Sequence, residues 1–249
     1  MDKIFDKLFF MGPMGLGDNF LISGMVHYYA DRCHEMHVPV WPYFHETVST
    51  LYQDHPHIRV VGLNPFDQGE NQYVEQHKLS RILRTNLINW KIKNFELTPL
   101  WDLQLYAMHE LSYELRYKNF RLPKHVEGSE ELYQKLSGGE PYILVHRRTS
   151  NHPDGIPFNL QSFRLHNNLP DVKIIEIEPS ITTNMMHYVK LIQCAEEIHC
   201  VPSSFHCLVD SMDTKARLYF HDLREKTAMV INSKWNKYRW TMVNYSERM

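Results

Sequence analysis

Apolar positions in this chain come in short runs cut by glycine and proline turns. Leu8, Phe9, Phe10 and Met11 run directly into Gly12-Pro13-Met14-Gly15-Leu16-Gly17-Asp18, the pattern of a strand that ends in a turn. Over residues 19–33 the apolar side chains Phe20, Ile22, Met25, Val26 and Tyr29 recur at helical spacing. A second strand is expected at 38–41, a helix at 45–54 and a third strand at 58–61. Strand, glycine turn, helix, strand, helix, strand is the rhythm of a parallel α/β unit.

The middle is less regular. Residues 66–100 are polar and predict two helices, 101–117 one long helix, and 128–140 a helix ending in the Gly138-Gly139 turn. The rhythm then restarts, with strands expected at 142–146 and 173–177, a helix over 183–196, a strand at 197–201, a tight loop at 202–205, a helix at 206–212 and a last short strand at 216–220. Two such units separated by a turn-rich segment predict two Rossmann-like α/β domains facing a cleft, with a boundary between 1–125 and 126–249. Ligands of such sheets sit beyond the carboxyl ends of the strands.

Composition narrows the function classes. A length of 249 residues, 43% hydrophobic and 22% charged, suits a packed core. The formal charge of -2 argues against nucleic acid as the main partner. No apolar run approaches the roughly 20 residues of a membrane span, and the start reads as a first strand instead of a signal peptide. The four cysteines, Cys33, Cys194, Cys200 and Cys207, lack the spacing of a disulfide scaffold and are read as reduced, which points to the cytoplasm.

Four segments could carry chemistry. At Gly15-Leu16-Gly17-Asp18 the glycines let a ligand approach the backbone at the start of a helix, and Asp18 is either a helix cap or a general base. In His146-Arg147-Arg148-Thr149 one guanidinium is expected to face the cleft, since neighbours on a strand point to opposite sides. Its planar fork suits a diphosphate, the alternative being a surface basic pair. Ser203-Ser204-Phe205-His206 is a phosphate seat at a helix start or a plain serine cap. Glu176 and Glu178 share a strand face, opposite Ile175 and Ile177, either to meet ribose or base or to lie exposed on an edge. A zinc site from His199-Cys200 and His206-Cys207 is the competing idea, but the usual short ligand spacings are absent.

The strand-GLGD-helix opening, Gly15 to Asp18 followed by NFLISGMVHYYA, resembles the start of the heptosyltransferase family, glycosyltransferases of the two-domain GT-B type. That resemblance implies that Asp18 is the catalytic base. The segment AEEIHCVPSSFHCLVDSM, residues 195–212, is similar to that family's donor-binding strand, loop and helix, with Pro202 and Ser204 where the family has an acidic residue and a glycine. YILVHRRTS and Ser203-Ser204-Phe205 also resemble segments of GDP-fucose-dependent transferases, which implies that Arg147 and Arg148 hold a diphosphate. The expected protein is an inverting, metal-independent glycosyltransferase with no cofactor beyond a nucleotide-diphosphate sugar as co-substrate, and a glycan or glycoconjugate acceptor. Gly15, Gly17, Arg147, Arg148, Glu178, Ser203, Ser204, Phe205 and His206 are its expected donor-binding residues. A non-catalytic nucleotide or phosphosugar-binding module is the alternative. The segment 106–120, rich in Tyr and Arg, is read as acceptor-side surface or as a core helix.

Overall fold

The computed structural model describes residues 4–13, 15–64, 69–79, 81–84, 101–149, 154–156, 158, 160, 172–223, 231, 233–234 and 236–243. Two parallel sheets organise them. The first contains β1 (Phe5–Met11), β2 (Cys33–Val40), β3 (Ile58–Gly62) and β4 (Arg81–Arg84), in the order β3-β2-β1-β4. Its helices are α1 (Leu16–Ala30), α2 (His45–Tyr52) and α3 (Gly69–Gln76). Leu8, Phe9 and Phe10 are all fully buried, because a central parallel strand is covered on both faces and carries a continuous apolar run instead of an alternating one.

Between the sheets lie α4 (Trp101–Ala107), α5 (Leu115–Lys118) and α6 (Ser129–Ser137). The second sheet has β5 (Tyr142–His146), β6 (Lys173–Glu176), β7 (Glu197–Cys200), β8 (Arg217–His221) and β9 (Trp240–Val243), in the order β6-β5-β7-β8-β9. Its helices α7 (Val189–Cys194) and α8 (Ser204–Ser211) follow β6 and β7 respectively, α7 being led in by a 3-10 turn at Met185–Tyr188. All the strand pairs in both sheets are parallel.

Several expected elements change. The expected helix 101–117 is broken, because Glu110 takes a left-handed backbone conformation (φ 55°) and Leu111 N–H closes back onto the Tyr106 carbonyl. Strands β4 and β9 are not among the expected elements; of the two helices expected in 66–100, α3 is one, β4 is a strand in that range, and residues 66–68, 80 and 85–100 lie outside the described residues. The segment 106–120 takes its core alternative: Tyr106, Tyr113 and Arg116 are buried.

One apolar cluster runs through both halves, from Leu8, Phe20 and Met25 to Leu144, Phe205 and Leu208. A smaller one, with Ile143, Val145, Phe158 and Val201, covers the other face of the second sheet. The halves meet chiefly through α1. A side chain at Gly24 would place its Cβ 2.1 Å from the Leu115 carbonyl oxygen, and one at Gly17 would sit 3.2 Å from the Ser204 Cα and 3.2 Å from the Cys207 Sγ. Two glycines two turns apart on α1 thus let α5 and α8 press against its backbone.

A buried polar cluster pins this junction. Arg116 on α5 donates to Asp102 on α4 (3.1 Å) and to Asp210 on α8 (2.5 Å). Asp210 also accepts from Tyr117, Asn236 and Trp240 at 3.0, 3.0 and 2.8 Å. Burial alone would raise the Asp210 pKa, yet Arg116 and these donors hold it below the ordinary carboxylate value.

Candidate active site

In an open parallel sheet the ligand crevice lies beyond the strand ends where the order reverses. In the first sheet that point is at β1, flanked by β2 and β4, and the chain leaving β1 is the glycine loop ending in Asp18. In the second it falls between β5 and β7. The chain leaving β5 is Arg147-Arg148, and the chain leaving β7 is Val201-Pro202-Ser203. The packing of Gly17 on Ser204 then brings the starts of α1 and α8 together. Two loops about 190 positions apart in sequence thereby border one another.

Asp18 is half-buried in the first turn of α1, and its Oδ2 accepts a hydrogen bond of 3.1 Å from the Gly15 N–H. It is therefore a helix-start acceptor, as one of its two readings expected. It is also perturbed: burial pushes its pKa from the ordinary 3.8 up to about 6, against the lowering effect of the Gly15 N–H. Burying a carboxylate without a cation beside it favours the neutral form, and a value near 6 is where a base can both hold and release a proton at neutral pH.

Ser203 caps α8. Its Oγ accepts from the His206 N–H at 3.3 Å and lies 3.0 Å from His146 Nδ1. The cap leaves the N–H groups of Ser204 and Phe205 at the open end of the helix, where the ladder offers them no partner. His146, the last residue of β5, is 7% exposed and its pKa is lowered to about 4 by burial, assisted by the nearby Arg148 charge. It belongs with the site residues. Its position directly before two arginines at a strand end was the signal in the sequence.

The two arginines separate. Arg147 is clamped to Glu176 through Nε (3.0 Å to Oε1) and Nη2 (to Oε2), and its guanidinium lies 5.7 Å from the Phe158 ring centre. Arg148 makes a looser contact, 3.5 Å, with Glu178, and acts on His146. Alternation puts His146 and Arg148 on the same side of the chain, toward Ser203, and Arg147 on the other. Ile175 and Ile177 are buried; Glu176, on the opposite face of β6, meets Arg147, whereas Glu178, two residues past the end of the strand, reaches Arg148.

Two expected ligand contacts need correction. Phe205 is fully buried between the His146 and Tyr188 rings, and His206 is 1% exposed, packed 4.8 Å from each of the Phe220 and Trp240 ring centres. Both face inward from α8, so only their backbone can meet a ligand in the crevice. Burial lowers the His206 pKa to about 4.

The zinc alternative finds no support in the geometry. Cys200 and Cys207 lie in the apolar core, whereas His199 turns to Glu197 (3.1 Å) and His221 (2.9 Å) on the other face of the sheet. Among the described residues no group of three His, Cys, Asp or Glu side chains could hold a metal ion. All four cysteines are free thiols.

No protein-family model matches the sequence, and no curated protein does. Solved structures do match. ADP-heptose LPS heptosyltransferase II from E. coli is similar over 95% of this chain and 90% of its own, with a TM-score of 0.58 at 10% identity. The fold is GT-B-like. A glycosyl transferase of family 9 from Veillonella parvula is similar over 96% of this chain and 85% of its own, with a TM-score of 0.56 at 8% identity. The likeness to GDP-fucose-dependent transferases rests on the sequence segments alone. Among the described residues no helix is long and apolar enough to cross a membrane.

Proposed function

We propose that the protein transfers a sugar from a nucleotide-diphosphate sugar to an acceptor hydroxyl of a glycan or glycoconjugate. The observation that carries this reading is the junction of the two crevice loops, which sets the start of α1, with a half-buried carboxylate of raised pKa, against the start of α8. The GT-B-like fold supports the same reading.

In this mechanism Asp18 removes the proton from the acceptor hydroxyl as its oxygen attacks the anomeric carbon and the bond to the diphosphate breaks. A single direct displacement inverts the anomeric centre. The departing diphosphate collects its negative charge where Arg148, the Ser204 hydroxyl and the first N–H groups of α8 can receive it, which removes the need for a metal. Arg147 and Glu176 hold the ends of β5 and β6. His146 and the Ser203 cap fix the loop. Free thiols and the absence of an apolar spanning helix among the described residues fit a reaction in the cytoplasm, and the charge of -2 fits a glycan acceptor better than a nucleic acid.

The test is a thermal-shift screen against nucleoside diphosphates and their sugar conjugates, with and without EDTA. A specific ligand at about 100 times its Kd adds roughly 2.7 kcal/mol of stability. One base should stand out, EDTA should not matter, and Asp18→Asn should bind that nucleotide while losing turnover. Silence across the whole panel would reject the donor site. The Gly15 N–H bond to Asp18 favours one rival, a nucleotide-binding module in which Asp18 only caps α1. Turnover that vanishes in Asp18→Asn excludes that rival.

A further inference from the structure

His146 closes β5 at the carboxyl end of the second sheet, beside the point where the strand order reverses. Its ring is more than nine-tenths buried, and its Nδ1 lies 3.0 Å from Ser203 Oγ. That oxygen also accepts the His206 N–H. The pair holds one hydrogen more than it spends. With the ring proton on Nδ1, the ring donates to Ser203 and the hydroxyl hydrogen is left over. With the proton on Nε2, the hydroxyl donates to Nδ1 and the Nε2–H is left over. An imidazolium leaves both, because its Nδ1–H donates to Ser203 while Nε2–H and the hydroxyl remain. Nε2 has no hydrogen-bond partner among the described residues.

These hydrogens collect where other donors already stand. The same cap leaves the Ser204 and Phe205 N–H groups open at the start of α8, and alternation sets Arg148 on the His146 side of the chain. An oxyanion in that place meets all of them, and it favours the ring form that supplies the most donors and charge. In the free protein the ring is neutral: burial lowers its pKa from 6.5 to about 4, and the Arg148 charge assists. An arriving dianion opposes both effects.

The other titratable groups around the ring can be named. From β7 the paired residue is Cys200, whose thiol burial keeps well above its usual range. From α8 comes the Phe205 ring at 5.2 Å, with Tyr188 behind it, its phenol pushed up to about 12 by burial. Glu178, past β6, is engaged by Arg148. Asp18 stands beyond the contact of Gly17 with Ser204. Of these only Asp18, with a pKa of about 6, changes charge near neutral pH with His146.

We propose that His146 takes up a proton from solvent as the diphosphate binds, so that the donor seat holds its anion against an imidazolium and releases it as that proton leaves. This rests on the transferase reading above and adds proton linkage to its donor site. A freed diphosphate carries more negative charge than the sugar conjugate, so the linkage grips product harder than donor and loosens it as pH rises.

The experiment titrates the full chain, labelled at histidine, by long-range proton–nitrogen NMR, with the His146 signal assigned by its loss in His146→Asn. The probe is inorganic sulfate, which stays a dianion throughout. The His146 midpoint should rise by roughly one to three units when sulfate is bound, the effect of an opposite charge in contact. A rise of about two units makes sulfate bind roughly ten-fold tighter at about pH 5 than at about pH 8. Asp18→Asn should keep both effects, and adding His146→Asn to it should remove the pH dependence. An unmoved midpoint, a pH dependence that survives in the double variant, or no sulfate binding would overturn the proposal. Nucleoside diphosphates are titrated into the same samples. Nucleotide binding with an unmoved His146 sinks the proton linkage alone, a sulfate-linked midpoint without nucleotide binding sinks the transferase reading alone, and silence to both anions sinks the two together.

Discussion

Replacing Asp18 by asparagine keeps an oxygen that can accept the Gly15 N–H and removes the charge. The folded-state pKa of about 6, against 3.8 for the ordinary group, fixes the sign. A carboxyl whose pKa is raised by folding holds its proton more tightly in the native state, so stability falls as pH rises from 3.8 through 6. Above that window the ionised group costs about 3 kcal/mol, from roughly two pKa units at about 1.4 kcal/mol each. Evaluated between about pH 5 and about pH 7.5, the same linkage leaves roughly 1.4 kcal/mol to appear.

Asp18→Asn should therefore be more stable than the wild type at neutral pH, and its advantage should shrink by about that amount on acidification. Urea denaturation of both proteins at the two pH values measures it, and thermal melts should differ by roughly 2–4 °C for each kcal/mol in a chain of this size. A side chain that serves only as a helix cap gives a different result: asparagine caps about as well as aspartate, so Asp18→Asn would leave stability nearly unchanged at both pH values. That outcome would refute the reasoning, and so would an Asp18→Asn protein that is less stable than the wild type with a gap independent of pH. Stability gained as turnover is lost is the mark of a group kept for chemistry at the expense of folding.

The other predictions follow from the same geometry. Arg148→Met should weaken nucleoside diphosphate binding by about 10–100-fold, the worth of a charge-assisted contact, whereas Arg147→Met should act mainly on stability; titration calorimetry distinguishes the two. Arg116→Met leaves Asp102 and Asp210 buried together without their cation and should cost about 3–5 kcal/mol in urea denaturation. His206, lowered to about 4 from 6.5, must stay neutral, so its share of stability is present above pH 6.5 and lost as pH falls through 4. His206→Leu should flatten the acid limb of the stability curve by up to about 3 kcal/mol, and an unchanged limb would count against the assignment.

Much of this was legible in the sequence because it was carried by local pattern. The run Leu8-Phe9-Phe10, the glycine loop and the apolar face of α1 specify their elements without help from distant residues, and the second unit repeats that logic from Tyr142 to Ser211. What escaped depended on partners. β4 offers only Ile82 and Leu83 between two arginines, and β9 closes the far edge of its sheet with Met242 at 40% exposure. Edge strands need less apolar surface, so their pattern is weak. The break after α4 uses Glu110 where a glycine would have announced it. In the site, loop positions were readable but side-chain directions were not. Phe205 and His206 follow a serine cap, yet the turn of α8 carries both inward, and the division of labour between Arg147 and Arg148 emerged only with Phe158 and Ser203 in place.

The Arg116 cluster has a consequence for the way the chain is made. Asp102 is already present when Arg116 leaves the ribosome, but Asp210 follows it by 94 positions. At about 5–20 residues per second that is a wait of roughly 5–20 seconds. During this interval the backbone groove at Gly17 lacks α8, and one arm of the guanidinium must remain in water. The nascent first half is thus an incomplete body whose polar anchor and apolar seam are both filled by the second. Its quality control falls to whatever shields that seam during synthesis, and slowing translation within the second half should lengthen its exposure to proteases and to aggregation.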